Sequence, residues 1–204
     1  MLTVGADVVV VERRLVAGEL ACPGCAGVLA RWGHARARVI RVGSGRVSVR
    51  PRRAVCRGCR ATHVLLPVGV LLRRADGVDV VGAAIVAKAA GLGARPVAVL
   101  VDRPLGTVRG WLRRFGCRVE AVRGWFTRLL CAVAADPVLP EPAGSVWADA
   151  VAAIGAAAVA VTARFAVTRV TVWQVVCAVS AGRLLAPGWP AGSINTSSSW
   201  AALM

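Results

Sequence analysis

Two Cys-x-x-Cys pairs are the residues of this chain best suited to chemistry. Cys22-Pro23-Gly24-Cys25 and Cys56-Arg57-Gly58-Cys59 offer four thiols, and two thiolates from each of two tight turns complete the tetrahedral shell that zinc prefers. The expected cofactor is Zn2+, held by Cys22, Cys25, Cys56 and Cys59. Gly24 and Gly58 each precede the second cysteine of a pair, where a missing Cβ is expected to permit the bend. His63 follows Cys59 at a spacing compatible with ligation, so it could replace one cysteine as the fourth ligand. A redox Cys-x-x-Cys is the competing chemistry, but it needs only one pair and a βαβ context that is absent here. Two unrelated reduced pairs are the remaining alternative.

Bringing the pairs together takes a hairpin. Val47-Ser48-Val49-Arg50 alternates apolar and polar after the turn Gly43-Ser44-Gly45. A β-hairpin with a metal knuckle at each end is therefore expected, with Val64-Leu65-Leu66-Pro67 as its closing strand. Ahead of it, Val8 to Val11 reads as a strand and Glu12 to Val16 as the start of a short helix, both packing on the ribbon. Trp32 reads as a lid on a small core or as a base-stacking platform, and His34 as a solvated or phosphate-contacting residue.

Charge points to the partner. The formal net charge is +16, and the segment from Ala21 to Ala75 is rich in arginine with no acidic residue. Such a one-signed field attracts a polyanion, and the planar guanidinium suits phosphate and guanine edges. Arg50, Arg52 and Arg53 are the candidate contacts in this segment. GC-rich coding would also enrich arginine, but clustering beside the cysteines favours binding.

Further on, Arg73-Arg74-Ala75-Asp76 leads into a helical segment in which Val78, Val81, Ile85 and Ala89 recur at helical spacing. Asp76 or Asp79 is expected to place its carboxylate at the helix N-terminus, where orphan amides and the dipole favour it, and Gly91-Leu92-Gly93 to stop the helix. A short apolar segment, Ala94 to Val101, then precedes the turn Asp102-Arg103-Pro104-Leu105-Gly106 and the stretch Thr107 to Phe115. In that stretch Val108, Trp111, Leu112 and Phe115 fall on one stripe, and Thr107, Arg109, Arg113 and Arg114 lie opposite. A short helix with an apolar back and a cationic front, entered through a tight turn, suits a major groove. An ordinary amphipathic helix with a solvated basic face has the same periodicity.

Thr107-Val108-Arg109-Gly110-Trp111-Leu112-Arg113-Arg114-Phe115 resembles the recognition helix of the homeodomain-like helix-turn-helix of many bacterial transposases. Cys22-Pro23-Gly24-Cys25, Trp32-Gly33-His34 and Cys56-Arg57-Gly58-Cys59 resemble the zinc ribbon that precedes such a motif. Together, over roughly Glu12 to Phe126, they are similar to actinobacterial zinc-ribbon/helix-turn-helix proteins of undefined function, often described as transposase-like. The resemblance implies binding of double-stranded DNA by a mobile-element-type module. Two residues depart from its pattern: Pro96 immediately precedes the Val97-Ala98 pair, and Gly110 sits inside the recognition helix. Pro96 is harmless in a first helical turn, whereas Gly110 costs about 1 kcal/mol relative to alanine.

Val119 to Ala134 reads as a further helix, Asp136 to Gly144 as a proline linker, and Ser145 to Phe165 as an alanine-rich helix capped by Ser145. For Val167 to Val179 strand and helix compete. Arg183 to Met204 is expected to be a poorly ordered tail, from which Trp189 and Trp200 could dock back onto the helices. The expected class is α+β, a small N-terminal β zinc ribbon followed by a mainly α-helical helix-turn-helix region and further C-terminal helices. The expected segments are a lead at 1–20, a ribbon at 21–67, a helix-turn-helix region at 76–134, a linker at 135–144, an Ala/Val-rich helical segment at 145–182 and a tail at 183–204.

Of the seven cysteines, Cys117, Cys131 and Cys177 are expected as buried small hydrophobes. A start without a basic n-region suggests a reducing cytoplasm. The uncharged run Ala150 to Ala163 is too short to span a bilayer, so no membrane association is expected. Beyond the helix-turn-helix only Glu120, Asp136, Glu141 and Asp149 are acidic, too few and too scattered for metal-assisted strand transfer. The expectation is a DNA-binding protein, transposase-like or regulatory, with no catalytic domain of its own and no evident small-molecule substrate. A ribbon for RNA or a protein partner, with the apolar C-terminal half forming a homo-oligomer, and a decayed transposase fragment are the alternatives.

Overall fold

The computed structural model describes residues 1–190. Among them are six strands and seven helices, a mixed α+β arrangement. β1 (Leu2–Val4) runs parallel to β6 (Thr62–Pro67), and β6, β5 (Arg52–Cys56) and β2 (Leu29–His34) continue antiparallel in the order β1-β6-β5-β2. β3 (Arg38–Val42) and β4 (Gly45–Val49) form a separate two-stranded hairpin through Gly43 and Ser44. The cysteine knuckles therefore do not sit on the hairpin that the turn residues suggested. The first knuckle leads into β2 and the second follows β5, and these strands pair with Leu29 opposite Cys56. The β3–β4 hairpin is an insertion between them.

Val8 to Val11 is helical, not a strand. α1 spans Val8–Val16, and the Asp7 carboxylate accepts from the amides of Val9 (2.8 Å) and Val10 (3.3 Å). That cap outweighs the weak strand preference of valine. The helix buries only Val11 and Leu15, one turn apart, and leaves Val8 and Val9 74% and 75% exposed. With Val4, Leu20, Leu29, Ala54 and Leu65 they form a small core that also contains Cys22 and Cys56.

The second and larger core is helical. α2 (Val78–Ala89), α3 (Ala94–Leu100) and α4 (Leu105–Gly116) pack on one another, and α5 (Val119–Val133) packs along α6 (Val146–Arg164). Gly91, at φ +91°, follows the end of α2. The N-cap of α2 is Gly77, without a side-chain bond, and Asp76 lies ahead of it. Asp79 lies in the first turn, where the helix dipole favours its carboxylate, and it also accepts from the Thr171 hydroxyl at 2.5 Å. Pro96 occupies the first turn of α3, where it costs no hydrogen bond. Ser145 caps α6, its hydroxyl accepting from the Ala148 amide at 3.1 Å.

Between Val167 and Val179 the helix wins from Val172 onward. α7 (Val172–Val179) starts with a reciprocal capping box of Thr171 and Gln174. Residues 183–190 are packed, in contrast to the expected free tail. Leu184, Leu185 and Trp189 are buried, and Trp189 lies 5.4 Å from the Trp125 ring centroid and 6.2 Å from that of Phe126. Trp200 lies outside the described residues. Of the lone cysteines only Cys177 is buried, and burial pushes its thiol up to about 11. Cys117, which caps the C-terminus of α4, and Cys131, off the apolar stripe of α5, are exposed.

Among the described residues α6 is the one helix long and apolar enough, by length and composition, to cross a membrane. The uncharged run alone understated it, since Val146 and Trp147 extend the apolar stretch past Asp149. Ala150, Ala153, Ile154, Ala157, Ala158 and Val161 are buried, as in a core helix, against α5, α7 and α2.

Candidate metal centre and nucleic-acid interface

The four cysteine sulfurs of the two knuckles converge. Cys22 Sγ lies 3.7 Å from Cys59 Sγ, Cys25 Sγ lies 3.4 Å from Cys56 Sγ, and all four fall within 4.8 Å of one another. Sulfurs about 2.3 Å from a tetrahedral ion have edges of ~3.8 Å, so the set fits one metal ion. The fit rests on two copies of the same turn. Cys22 N donates to Gly27 O (2.8 Å) and Ala26 N to Cys22 O (2.8 Å). In the second knuckle Cys56 N donates to Ala61 O (2.9 Å) and Arg60 N to Cys56 O (3.1 Å).

In each turn the residue after the second cysteine, Ala26 (φ +57°) or Arg60 (φ +63°), takes the left-handed conformation. Gly24 and Gly58 have ordinary φ, and a Cβ there would meet nothing closer than 3.8 Å, so neither is required for the bend. The glycine that matters is Gly27, where a Cβ would stand 3.0 Å from Cys56 Sγ. No sequence signal distinguishes it, because the tightest crowding comes from the opposite knuckle, with Cys25 Sγ at 3.3 Å adding to it.

Amides aimed at sulfur prepare the thiolates. Gly24 N donates to Cys22 Sγ and Cys59 N to Cys56 Sγ, both at 3.4 Å. The Cys59 amide holds the Cys56 thiol down to about 6. An amide contact from Ala61 favours the Cys59 thiolate, but the neighbouring Cys25 and Cys56 sulfurs and burial outweigh it and push that thiol up to about 11. His63 is buried with Nε2 3.4 Å from Cys22 Sγ. It stands beside the sulfur quartet, where a ring N–H would orient a ligand in the manner of outer-shell partners.

α4 divides as its sequence suggested. Val108, Trp111, Leu112 and Phe115 are buried, and Arg109 and Arg113 are exposed. Thr107 is half-buried. Arg114 is also half-buried, its Nη1 donating to Gly110 O at 2.9 Å. α3 and the turn at 101–104 lead directly into this helix. Phe115 meets Trp147 of α6 at 5.2 Å between ring centroids, so the apolar back of α4 is fixed to the main core.

The ribbon-side arginines differ in exposure and pairing. Arg50 is exposed at the end of β4. Arg52 is held by Glu12, with Nε 3.0 Å from Oε2 and Nη2 donating to Oε1 at 3.1 Å, and its Nη1 lies 3.2 Å from His34 Nε2. Glu12 also pairs with Arg31 at 2.6 Å. Arg53 is half-buried in β5, opposite Val64 of β6. The pairing of Arg52 could not be read from spacing, since Glu12 is forty residues away.

Two further features lay outside the sequence reading. Asp76, 2% exposed, accepts from Arg41 and from Arg103. A cavity of about 380 Å³ lies under the β3–β4 hairpin, walled by Val4, Val11, Ile40, Val47, Leu65 and Val80 among others. Trp32 is 53% exposed, a surface residue and not a lid. Comparison of the chain with protein-family models, with curated proteins and with solved structures found no match.

Proposed function

We propose that this chain is a zinc-containing protein that binds double-stranded DNA, transposase-like or regulatory, without a catalytic domain of its own. The observation that carries the reading is α4. It is a short helix that follows a tight turn, with a buried apolar back and exposed arginines at 109 and 113. Such a helix, braced by α2 and α3, is a helix-turn-helix reader: it can lie in a major groove and meet phosphates or base edges with its guanidiniums.

Zinc is the metal that suits four thiolates in a near-tetrahedral cage with closed coordination. When bound, it ties β2 to β5 and gives the small N-terminal core a stability that its few apolar residues do not supply. Its role here is structural, since a shell of four cysteines leaves no position for water or substrate. The net charge of +16 supports an electrostatic contribution to duplex binding.

Replacing Arg109 and Arg113 together by alanine tests the reading. The double variant should bind a duplex at least tenfold more weakly than the parent at near-physiological salt, with a shallower salt dependence. Unchanged affinity and unchanged slope would remove α4 from the interface and with it the proposal.

A further inference from the structure

The arginines of the β3–β4 hairpin acquire a specific role from the way that hairpin is fastened. Asp76 carries a buried charge, which is tolerable only when fully paired. It receives Arg41 through Nε (2.9 Å) and Nη2 (2.7 Å), and Arg103 through Nε (2.7 Å). Arg41 belongs to β3. Arg103 belongs to the turn that enters α4, and its Nη2 also donates to Gly43 O in the hairpin turn at 3.0 Å. Backbone bonds add to the fastening, from Arg41 N to Ala75 O (2.7 Å) and from Gly77 N to Arg41 O (2.8 Å). The tip of the hairpin is thereby locked beside the entrance of α4.

Arg46 stands directly opposite Arg41 in the hairpin register. Directly opposed residues project from the same face of an antiparallel pair, and two like charges so placed repel each other. Asp76 neutralises Arg41 and is already shared with Arg103. Arg46 is exposed and has no ion pair among the described residues. One cation is thus left over, on the face of the hairpin that is fastened to the α4 entrance, at a place where an anion would relieve the repulsion. Arg50, Arg52 and Arg53, the arginines that the sequence singled out, lack this placement.

We infer that Arg46 contacts a backbone phosphate of the same DNA duplex that α4 grips, and that Asp76 is the positioning residue that holds the hairpin for this contact. The inference rests on the DNA-binding reading above and adds a second element to its interface. Binding would then have two parts, a helix in the groove and a hairpin tip on the adjacent strand.

The test is fluorescence-anisotropy titration of a short labelled duplex with the zinc-loaded full chain over a series of salt concentrations. Arg46→Ala should weaken binding on the order of fivefold and reduce the slope of log K against log salt by about 0.9, the value of one phosphate contact. Arg46→Lys should restore most of the slope, and Arg128→Ala, an exposed change on α5, should leave it unaltered. In an Asp76→Asn background, Arg46→Ala should have no further effect while Arg109→Ala still does. Loss of a merely structural residue would not produce that selective uncoupling. Arg103→Lys, which retains the charge and gives up the bond to Gly43, should weaken the Arg46 effect in the same direction and serves if Asp76→Asn does not fold.

If Arg46→Ala changes neither affinity nor slope while Arg109→Ala changes both, the inference is wrong and the DNA reading stands. If no arginine variant changes binding, the DNA reading itself is wrong. An effect of Arg46→Ala confined to duplex RNA of the same length also overturns the inference.

Discussion

Two glycine-to-alanine substitutions within helices should have opposite signs. Gly155 lies inside α6, and a Cβ built there meets no atom within 4 Å. Gly155→Ala should therefore stabilise the protein by about 0.5–1 kcal/mol through backbone entropy and helix propensity. Gly82 lies inside α2 and gains the same propensity, but its Cβ would stand 2.2 Å from Cδ2 and 2.3 Å from Cε2 and Cγ of Trp173. These are inner ring atoms of a side chain that is 9% exposed, so they cannot swing away as a flexible chain end could. Overpacking of this kind costs roughly 1–3 kcal/mol or more, and a gap this short belongs at the upper end. Gly82→Ala should be destabilising by about 2 kcal/mol or more after the propensity gain.

For a chain of this size about 1 kcal/mol moves Tm by ~2–4 °C, so thermal melts of the two variants should shift in opposite directions. A cycle with Trp173→Leu sharpens the comparison: in that background Gly82→Ala should be neutral or stabilising, because the ring that opposes it is gone. A higher Tm for Gly82→Ala in the parent protein would refute the close packing of α2 on α7 and the brace it provides behind α3 and α4.

Other consequences concern the metal and the last described segment. Chelation should unfold the small core of Val11, Leu15, Leu29 and Leu65 while leaving the helical core in place, visible as loss of amide-exchange protection in β2 and β5 but not in α5 and α6. Zinc affinity, read by competition with a chromophoric chelator, should rise with pH. Loading needs four thiolates, the Cys59 thiol is pushed up to about 11 and must lose its proton, and below about 6 the Cys56 thiol gains one as well. The gain should be about tenfold per pH unit for each proton displaced, and affinity independent of pH from about 5.5 to about 7.5 would contradict it. Arg118 donates to the carbonyl oxygens of Ala186 and Trp189, so Arg118→Ala should cost about 1.5 kcal/mol, the low end for bonds to a charged group at a half-buried site. Limited proteolysis should then cleave at Arg183, and resistance equal to the parent's would exclude that anchoring role.

What could be read from sequence, and what could not, follows from the range of the interactions involved. The cysteine quartet and the stripe of α4 are set by residue type and spacing alone, and the described chain places them as those patterns imply. At the start of α1 four valines read as a strand, whereas the helix is set by a single capping residue, Asp7, whose contribution depends on the local chain path. Gly43-Ser44-Gly45 marks a turn but not which sheet it serves, so the spacing points to β3 and β4 where β2 and β5 carry the knuckles. Non-local pairings were out of reach altogether: Glu12 holding Arg52, Asp76 joining Arg41 to Arg103, and the Gly27 approach to Cys56 each join residues brought together only by the fold. Arg52 is held by Glu12, whereas Arg46, opposite Arg41 in the hairpin, has no ion pair among the described residues.

The most direct test of the account is the affinity of the zinc-loaded chain for a DNA duplex as a function of salt. If α4 and the hairpin neutralise phosphates together, log K should fall linearly with log salt, with a slope of about −0.9 for each contact. The slopes of the Arg109→Ala and Arg113→Ala variants should each be shallower by about one contact. Binding that is absent at low salt, or equally strong across the salt range and indifferent to both arginines, would contradict it.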